Sequence, residues 1–577
     1  MKIDRKDCLF YSILAGAIIL VFGSAVSFKS MVMDDIIYVG RFHLLEPTVN
    51  NLKLWWQPVL GLWGPLTGYS FMLDYLILGK DHILAGAHAV NILLHFTACA
   101  AFYTGARLLK FSRLTAGLAV LFWAVHPQRA ESVAWLSERK DVMLLVLGLW
   151  SIVFFIKSLR EKNQTFYWLA VIFFALSFAV KPALIGLPVV LTVFLWGRYR
   201  KKDGRFYFKY TGIFWLLSLI YYGAFKYVSS AENLSGAEKF SDQFILMGWR
   251  YGSYLVKTFV PYGLNPYYPH FSLAENSLLP LYIAGMLWLL LAVFLLRKNK
   301  KVLYLYLPLA LSFSAAVAPG LLRIGSVDFA DRYSYFPSVF SVLALFAGVS
   351  ALWKYFPKAK NAVIFLSCGI IIFFGALCFD GVFIWESEET FSAATLNVPK
   401  PNYRRLIADT VGKFEKQDFS GTRRNIDFLR RNYANDPDPC PLTIQLFTDS
   451  LEGVLMVEEG NIRLGMRKIY QVLSNSRWKL LFNTTWGYPR FLLLKAAGHS
   501  QRAGYIKDAA ELYRRVADLY SPLEPMEKEF YLALAALCQG DRQTALWRFE
   551  NAHRLNPGDE NIRKNIEILR KNTTAAK

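Results

Sequence analysis

Eleven apolar runs dominate the first two thirds of the chain, at residues 9–28, 84–105, 114–125, 141–157, 165–180, 183–197, 209–228, 279–296, 302–318, 335–353 and 361–380. A helix needs about 20 mostly apolar residues to cross a bilayer, and in lipid a lone segment can satisfy its backbone polar groups only as a helix. The runs therefore predict an all-α, polytopic helical membrane bundle of about eleven spans. Composition agrees, since 54% of the 577 residues are hydrophobic and 16% aromatic, too apolar for a soluble protein of this size. The first run is too long for a cleaved signal peptide and is read as lacking a cleavage site.

Basic residues orient the bundle. With the N-terminus inside, the inner segments collect 22 Lys and Arg against only Asp4, Asp7, Glu161 and Asp203. Every inner loop is basic, which is the bias that places loops in the cytoplasm. An odd number of spans then puts the C-terminal region outside. The formal net charge of +22 is mostly this topological bias, so a nucleic-acid partner is not indicated.

After Asp380 the composition changes, and residues 381–577 carry helical apolar periodicity without a spanning run. The boundaries are read as a transmembrane catalytic domain over 1–380 and an extracytoplasmic helical repeat domain over 381–577. "YLALAALCQGDRQTALWRFENAHRLNP" places Gly540-Asp541 between two helices and small residues at Ala545 and Ala552, with Pro557 as the stop. "DAAELYRRVADLYSP" repeats the second half 35 residues earlier. This resembles a tetratricopeptide repeat, and segments starting at Arg404 and Phe447 fit it more loosely. Stacked helix pairs would offer a concave surface to a partner; a capped helical plug is the plainer reading. None of the six cysteines forms a CxxC or zinc pattern. A Cys440–Cys538 disulfide is open on compartment grounds alone.

The loops read as outer are unusual. Loop 29–83 contains "MVMDDIIYVGR" and then "NLKLWWQPVLGLWGPLTGYSFMLDYLILG", whose Trp55, Trp56 and Trp63 suit helices lying at the headgroup level. Loop 229–278 is long and ends "VPYGLNPYYPHF". Ionisable residues close to spans are costly and mark function. On this side they are Asp34 and Asp35; His88, Asn91 and His95 along one helix face; His126, Arg129, Glu131, Glu138, Arg139, Lys140 and Asp141; Lys181; and Asp328, Asp331, Arg332, Tyr333 and Tyr335. Acids and cations recurring in separate loops suit a substrate with both a phosphate and a hydroxyl. Each has a structural alternative: an Asp pair can cap a helix, and the cations can pair with neighbouring acids.

The order of "DD" after the first run, "GPLTGYSFMLDYLILG", "HAVNILLH", "HPQRAESVAWLSERKDVM" and "ADRYSYFP", followed by the repeats, resembles the GT-C superfamily of membrane glycosyltransferases with appended tetratricopeptide repeats, including the O-mannosyltransferases of the ER lumen and bacterial relatives. The resemblance covers residues 30–160, 315–340 and the tail. It implies a polyprenyl-phosphate-linked sugar as donor and a hydroxyl of an exported protein as acceptor, recruited by the repeats, with the chain in a bacterial inner membrane and its C-terminal domain in the periplasm. Asp34 aligns with the first acid of the family's Asp-acid-x-x-Tyr pattern, implying a general base. Asp35 would orient the acceptor, or hold a divalent ion if one is used. Arg332, Arg139 and Lys140 are phosphate candidates, with Arg41 a further one, because guanidinium forks match phosphate oxygens. His126, Glu131, His88, Asn91, Tyr333 and Tyr335 are candidates for substrate contact. Two other readings stay open: a GT-C enzyme modifying a lipid-linked glycan or envelope glycolipid, and a non-catalytic membrane-anchored repeat scaffold.

Overall fold

The computed structural model describes residues 4–59, 62–199, 202–231, 240–268, 329–398, 401–433, 441–478, 481, 488–520 and 524–574. These form two compact units, Met1–Ala394 and Thr395–Lys577. Among the described residues there is no β-strand, only an isolated bridge between Val59 and Leu62.

The first unit is a helical bundle. Its elements are α1 (Arg5–Phe22), three short helices α2 (Asp35–Tyr38), α3 (Phe42–Leu45) and α4 (Val49–Trp55), then α5 (Pro65–Leu108), α6 (Arg113–Ala124), α7 (Arg129–Ala134), α8 (Arg139–Glu161), α9 (Gln164–Phe178), α10 (Leu187–Arg198), α11 (Gly204–Ala231), α12 (Phe240–Phe259), α13 (Pro337–Tyr355) and α14 (Lys360–Val382). Among the described residues, four segments are long and apolar enough to cross a membrane: Arg5–Ser27, Pro65–Leu108, Leu136–Glu161 and Pro357–Trp385. Nine of the eleven sequence-derived runs fall on described helices. The runs at 279–296 and 302–318, and Asp328, lie outside the described residues. The chain is a multi-pass helical membrane protein.

Local chemistry explains the helix ends. Asp4 caps α1 through the backbone N–H groups of Lys6 and Asp7, with Asp7 returning the bond in a capping box. Ser112 caps α6 through Thr115 N–H, and Asn163 caps α9 through Thr165 N–H. The 44-residue α5 is two helices joined at Gly79, whose φ of +69° is left-handed and open to glycine at no steric cost.

Loop 29–83 differs from the expected set of interfacial helices. Trp55 is core: its indole N–H donates to Leu44 O at 3.0 Å, and its ring packs against Gly68, where a Cβ would overlap the indole. Trp56 stays exposed, edge-on to Trp63 at 5.2 Å. Loop 229–278 holds α12, which no apolar run marked. The first unit also continues past the composition change at Asp380: Trp385 stacks on Trp135 with centroids 4.9 Å apart, and Phe391 is fully buried in the same core. An aromatic hook in the polar sequence explains why composition alone places the boundary early.

The second unit is a series of helical hairpins, α16 (Tyr403–Glu415) with α17 (Phe419–Tyr433), α18 (Pro441–Glu458) with α19 (Ile462–Ser474), α20 (Tyr488–Arg502) with α21 (Ile506–Asp518) and α22 (Pro525–Cys538) with α23 (Arg542–Leu555), after the short α15 (Glu388–Leu396) and before a final α24 (Glu560–Thr574). Short turns join the paired helices, and most successive helices are in contact. Small residues set the close approaches. Gly453 and Gly465 bring α18 and α19 together, and Ala533, Ala536, Ala545 and Ala552 are buried between α22 and its neighbours. The Gly540-Asp541 turn is as expected, with Gly540 at φ +77° and Asp541 capping α23 through Thr544 N–H. Cys440 lies outside the described residues.

Candidate active site

The Asp pair sits in a tight turn after the extended segment that follows α1. Met33 adopts φ +51°, a left-handed conformation that costs energy for any residue but glycine and recurs where a side chain must be aimed. It delivers two consecutive carboxylates into different surroundings. Asp35 is 3% exposed. Its Oδ1 accepts from Ser137 N–H at 2.8 Å and from Ser137 Oγ at 2.5 Å, and its Oδ2 accepts from Val32 N–H at 3.1 Å. Burial pushes its carboxyl up to about 7, while the bonds from Ser137 and Val32 oppose the rise. Asp35 thus pins the turn to the short 3₁₀ segment Leu136–Glu138.

Asp34 is placed at the N-cap position of α2 but makes no capping bond. Its carboxylate is 29% exposed and faces Lys140 Nζ at 3.7 Å. The pair has divided: one carboxylate is structural and the other is presented.

Behind Lys140 lies a buried lattice of charge built from three further segments. Glu138, at the end of the 3₁₀ segment, faces Lys140 Nζ at 3.3 Å, Arg332 Nε at 3.4 Å and Lys181 Nζ at 4.0 Å. Lys181 is also held by Asp141 at 2.6 Å. Arg332 opens the turn before α13; its guanidinium pairs with Glu131, whose other oxygen accepts Arg332 N–H at 2.9 Å. Burial raises the Glu131 carboxyl to about 7, with Arg332 working against that rise. Aromatic faces line the cations: Arg332 lies 5.4 Å from the Trp135 ring and 5.0 Å from Tyr333, Lys140 5.6 Å from Trp135 and 5.5 Å from Tyr38, and Lys181 5.4 Å from Tyr333. Beside them Asp331 accepts from Tyr268 OH at 2.7 Å and from Gln128 Nε2 at 3.3 Å.

The structure brings Asp34, Asp35, Lys140, Glu131, Arg332 and Tyr333 together. The remaining candidates lie elsewhere in the bundle. Arg139 is fully enclosed: its Nε donates to Asn91 Oδ1 at 2.8 Å, one terminal nitrogen to Ala87 O at 2.8 Å, and the other faces Asp74 at 2.5 Å, with the guanidinium 4.0 Å from the Phe71 ring. No part of it is left for a phosphate. Asn91 is used in turn, reaching Trp135 O and Leu136 O at 3.4 and 3.3 Å. His95 is bonded through both ring nitrogens, to Tyr335 OH at 2.5 Å and Ala124 O at 3.0 Å, which also occupies Tyr335. His126 faces Thr258 O at 3.0 Å and accepts Gln128 N–H at 3.2 Å; burial holds its pKa well below the usual value. His88 is buried edge-on to Phe28 at 5.7 Å. Arg41 occupies the N-cap position of α3, half-buried.

Lys181 and Glu138 stand out in the sequence only as charges beside spans, and Gln128 and Tyr268 carry no such signal. The lysine carried a usable warning, since a cation directly after an apolar run must find a partner. Among the described residues no three His, Cys, Asp or Glu side chains are arranged to hold a metal ion.

Fold and centre together define a class: a polytopic helical membrane protein with a buried lattice of charge and a helical-hairpin repeat unit. No protein-family model matches the chain. It is similar to curated protein O-mannosyl-transferases: Tmtc1 of Drosophila melanogaster, 37% identical over 104 residues, 17% of this chain and 12% of that protein; TMTC4 of Homo sapiens, 29% identical over 196 residues, 27% and 26% of the two; and TMTC4 of Mus musculus, 23% identical over 463 residues, 65% and 61%. The chain thus matches between about an eighth and three fifths of the length of these relatives. Among solved structures it is similar to the oligosaccharyltransferase of Archaeoglobus fulgidus, at 12% identity and a TM-score of 0.36, over 72% of this chain and 58% of that one.

Proposed function

We propose that this chain is a membrane glycosyltransferase that moves a single sugar from a polyprenyl-phosphate carrier to a hydroxyl of an exported protein, on the extracytoplasmic face of a bacterial inner membrane. The similarity to proteins named O-mannosyl-transferases supports the reaction class. The observation that carries the reading is the division within the Asp pair: Asp35 is held by three hydrogen bonds, which leaves Asp34 presented beside Lys140 and the cations around Glu138.

Asp34 takes the proton from the acceptor hydroxyl as its oxygen bonds to the anomeric carbon. The bond from that carbon to the phosphate oxygen breaks with inversion, and the lipid phosphate leaves. A phosphate is a stable leaving group, so no general acid is required, and positioned cations suffice to offset its charge. Lys140 and Arg332 serve that role, with Glu131 gripping Arg332 by both backbone and side chain. Tyr333 stands over the same cations as a contact for the sugar or lipid phosphate. The hairpin repeats recruit the acceptor chain.

The test is Asp34→Asn, nearly isosteric, read by mass spectrometry of exported proteins and envelope glycans. A positioned base contributes about 10²–10⁴-fold, so the sugar-bearing product should fall by that factor while the protein remains inserted and folded. An undiminished product removes Asp34 as the base. Loss confined to glycolipids instead assigns the acceptor to the envelope, and no product in the wild type leaves the scaffold reading standing.

A further inference from the structure

We infer that Glu138 is an internal stand-in for the donor's phosphate, occupying a three-cation cradle in the empty protein and giving way when a lipid phosphate arrives. The inference rests on the transferase reading above and deepens it by naming how the anion site is kept intact without its ligand.

Lys140, Lys181 and Arg332 come from three separate segments and converge on one carboxylate that is 1% exposed. None of the three contacts is tight. At 3.3, 4.0 and 3.4 Å they all exceed the roughly 2.7–2.9 Å of a charge-assisted bond. Glu138 Oε2 receives no hydrogen bond from an N–H or hydroxyl donor among the described residues, and the carboxyl of Asp141 lies beside Glu138. Each cation also has an acid of its own: Arg332 has Glu131, Lys181 has Asp141 and Lys140 has Asp34. Glu138 is therefore the shared and loosely held anion, and its removal strands no cation alone.

Its chemistry matches what would replace it. A carboxylate carries one negative charge on two oxygens, and so does the phosphodiester linking a sugar to a prenyl chain. With each of the three cations already beside an acid of its own, Glu138 is the surplus anion among them, and a donor's phosphate must compete with it. Glu138 is in this sense a positioning residue, and its expected signature is opposite to that of a simple brace.

The experiment measures binding of a polyprenyl phosphate to the full-length protein in detergent micelles, with inorganic phosphate as a lipid-free arm. Glu138→Gln should tighten polyprenyl phosphate by about tenfold and inorganic phosphate in the same direction but less. Lys181→Met should weaken both. Should Glu138→Gln fail to fold, Glu138→Asp, which withdraws the charge by one methylene, should tighten binding by a smaller factor. Unchanged or weaker binding in the folded Glu138 variants overturns the inference. Tighter binding without sugar transfer by the wild type would instead overturn the transferase reading and leave the stand-in intact. Tightening confined to inorganic phosphate would overturn the lipid as its competitor.

Discussion

Asp35→Asn should cost stability where Asp34→Asn costs activity. The magnitudes follow from the turn. At about pH 8, above the value near 7 that burial gives it, Asp35 is a carboxylate accepting three hydrogen bonds. An asparagine has one acceptor oxygen. Facing that oxygen to Ser137 turns the NH2 group against Val32 N–H, two donors about 3.1 Å apart in a buried site. One orphaned buried donor costs about 1–3 kcal/mol, and the weakened bonds at Ser137 about 1 kcal/mol more. The expected loss is thus roughly 2–4 kcal/mol. Asp34→Asn removes a 3.7 Å ion pair from a 29% exposed side chain, worth about 0–1 kcal/mol. Thermal unfolding followed by tryptophan fluorescence in detergent separates the two. Ser137→Ala combined with Asp35→Asn should be less than additive, because both remove the same contact. An Asp35→Asn protein that unfolds together with the wild type, or an Asp34→Asn protein destabilised equally, refutes the division of roles.

Other outcomes follow from the same geometry. Asp35 and Glu131 both have folded values near 7, above their unfolded values of 3.8 and 4.5, so the folded state binds their protons more tightly; their contribution to stability falls as pH rises from about 4 to about 7 and is flat beyond. Unfolding temperature against pH should show this slope, reduced in Asp35→Asn. Arg332→Lys keeps the charge but loses the fork that grips Glu131, so the KM for the lipid donor should rise several-fold with a smaller change in kcat, in a reconstituted transfer assay. Removal of the unit Thr395–Lys577 should depress transfer to protein acceptors more than hydrolysis of the donor; equal loss of both would exclude a recruiting role.

Much of the fold is legible in the amino-acid order because membrane spans and repeat helices are each encoded by a local pattern, apolar length in one case and small residues at helical spacing in the other. The break at Gly79 and the helix α12 were not, since a single left-handed residue and a helix without an apolar run leave no such mark. At the centre, residue type identified the participants but not their allocation. Asp34 and Asp35 are chemically identical in sequence, and only the N–H groups of Ser137 and Val32 distinguish them. Arg139 and Lys140 are likewise adjacent, yet consecutive helical positions point apart, so one is sealed against Asp74, Asn91 and Phe71 while the other reaches Asp34. The histidines show a related ambiguity: an imidazole bonded at both nitrogens can serve as a compact joint between helices, as at His95.

The centre draws on residues that leave the ribosome far apart in time. Asp34 emerges just behind the first helix, Glu138 and Lys140 follow several helices later, and Arg332 arrives only when most of the bundle has been threaded into the bilayer. A half-synthesised chain therefore holds Asp34 and Lys140 without the guanidinium that pairs with Glu131. Until the turn at Asp331–Ser334 docks beside Glu131, the charge lattice is incomplete, and on the proposed reading an unfinished copy lacks one of the cations that would meet the donor.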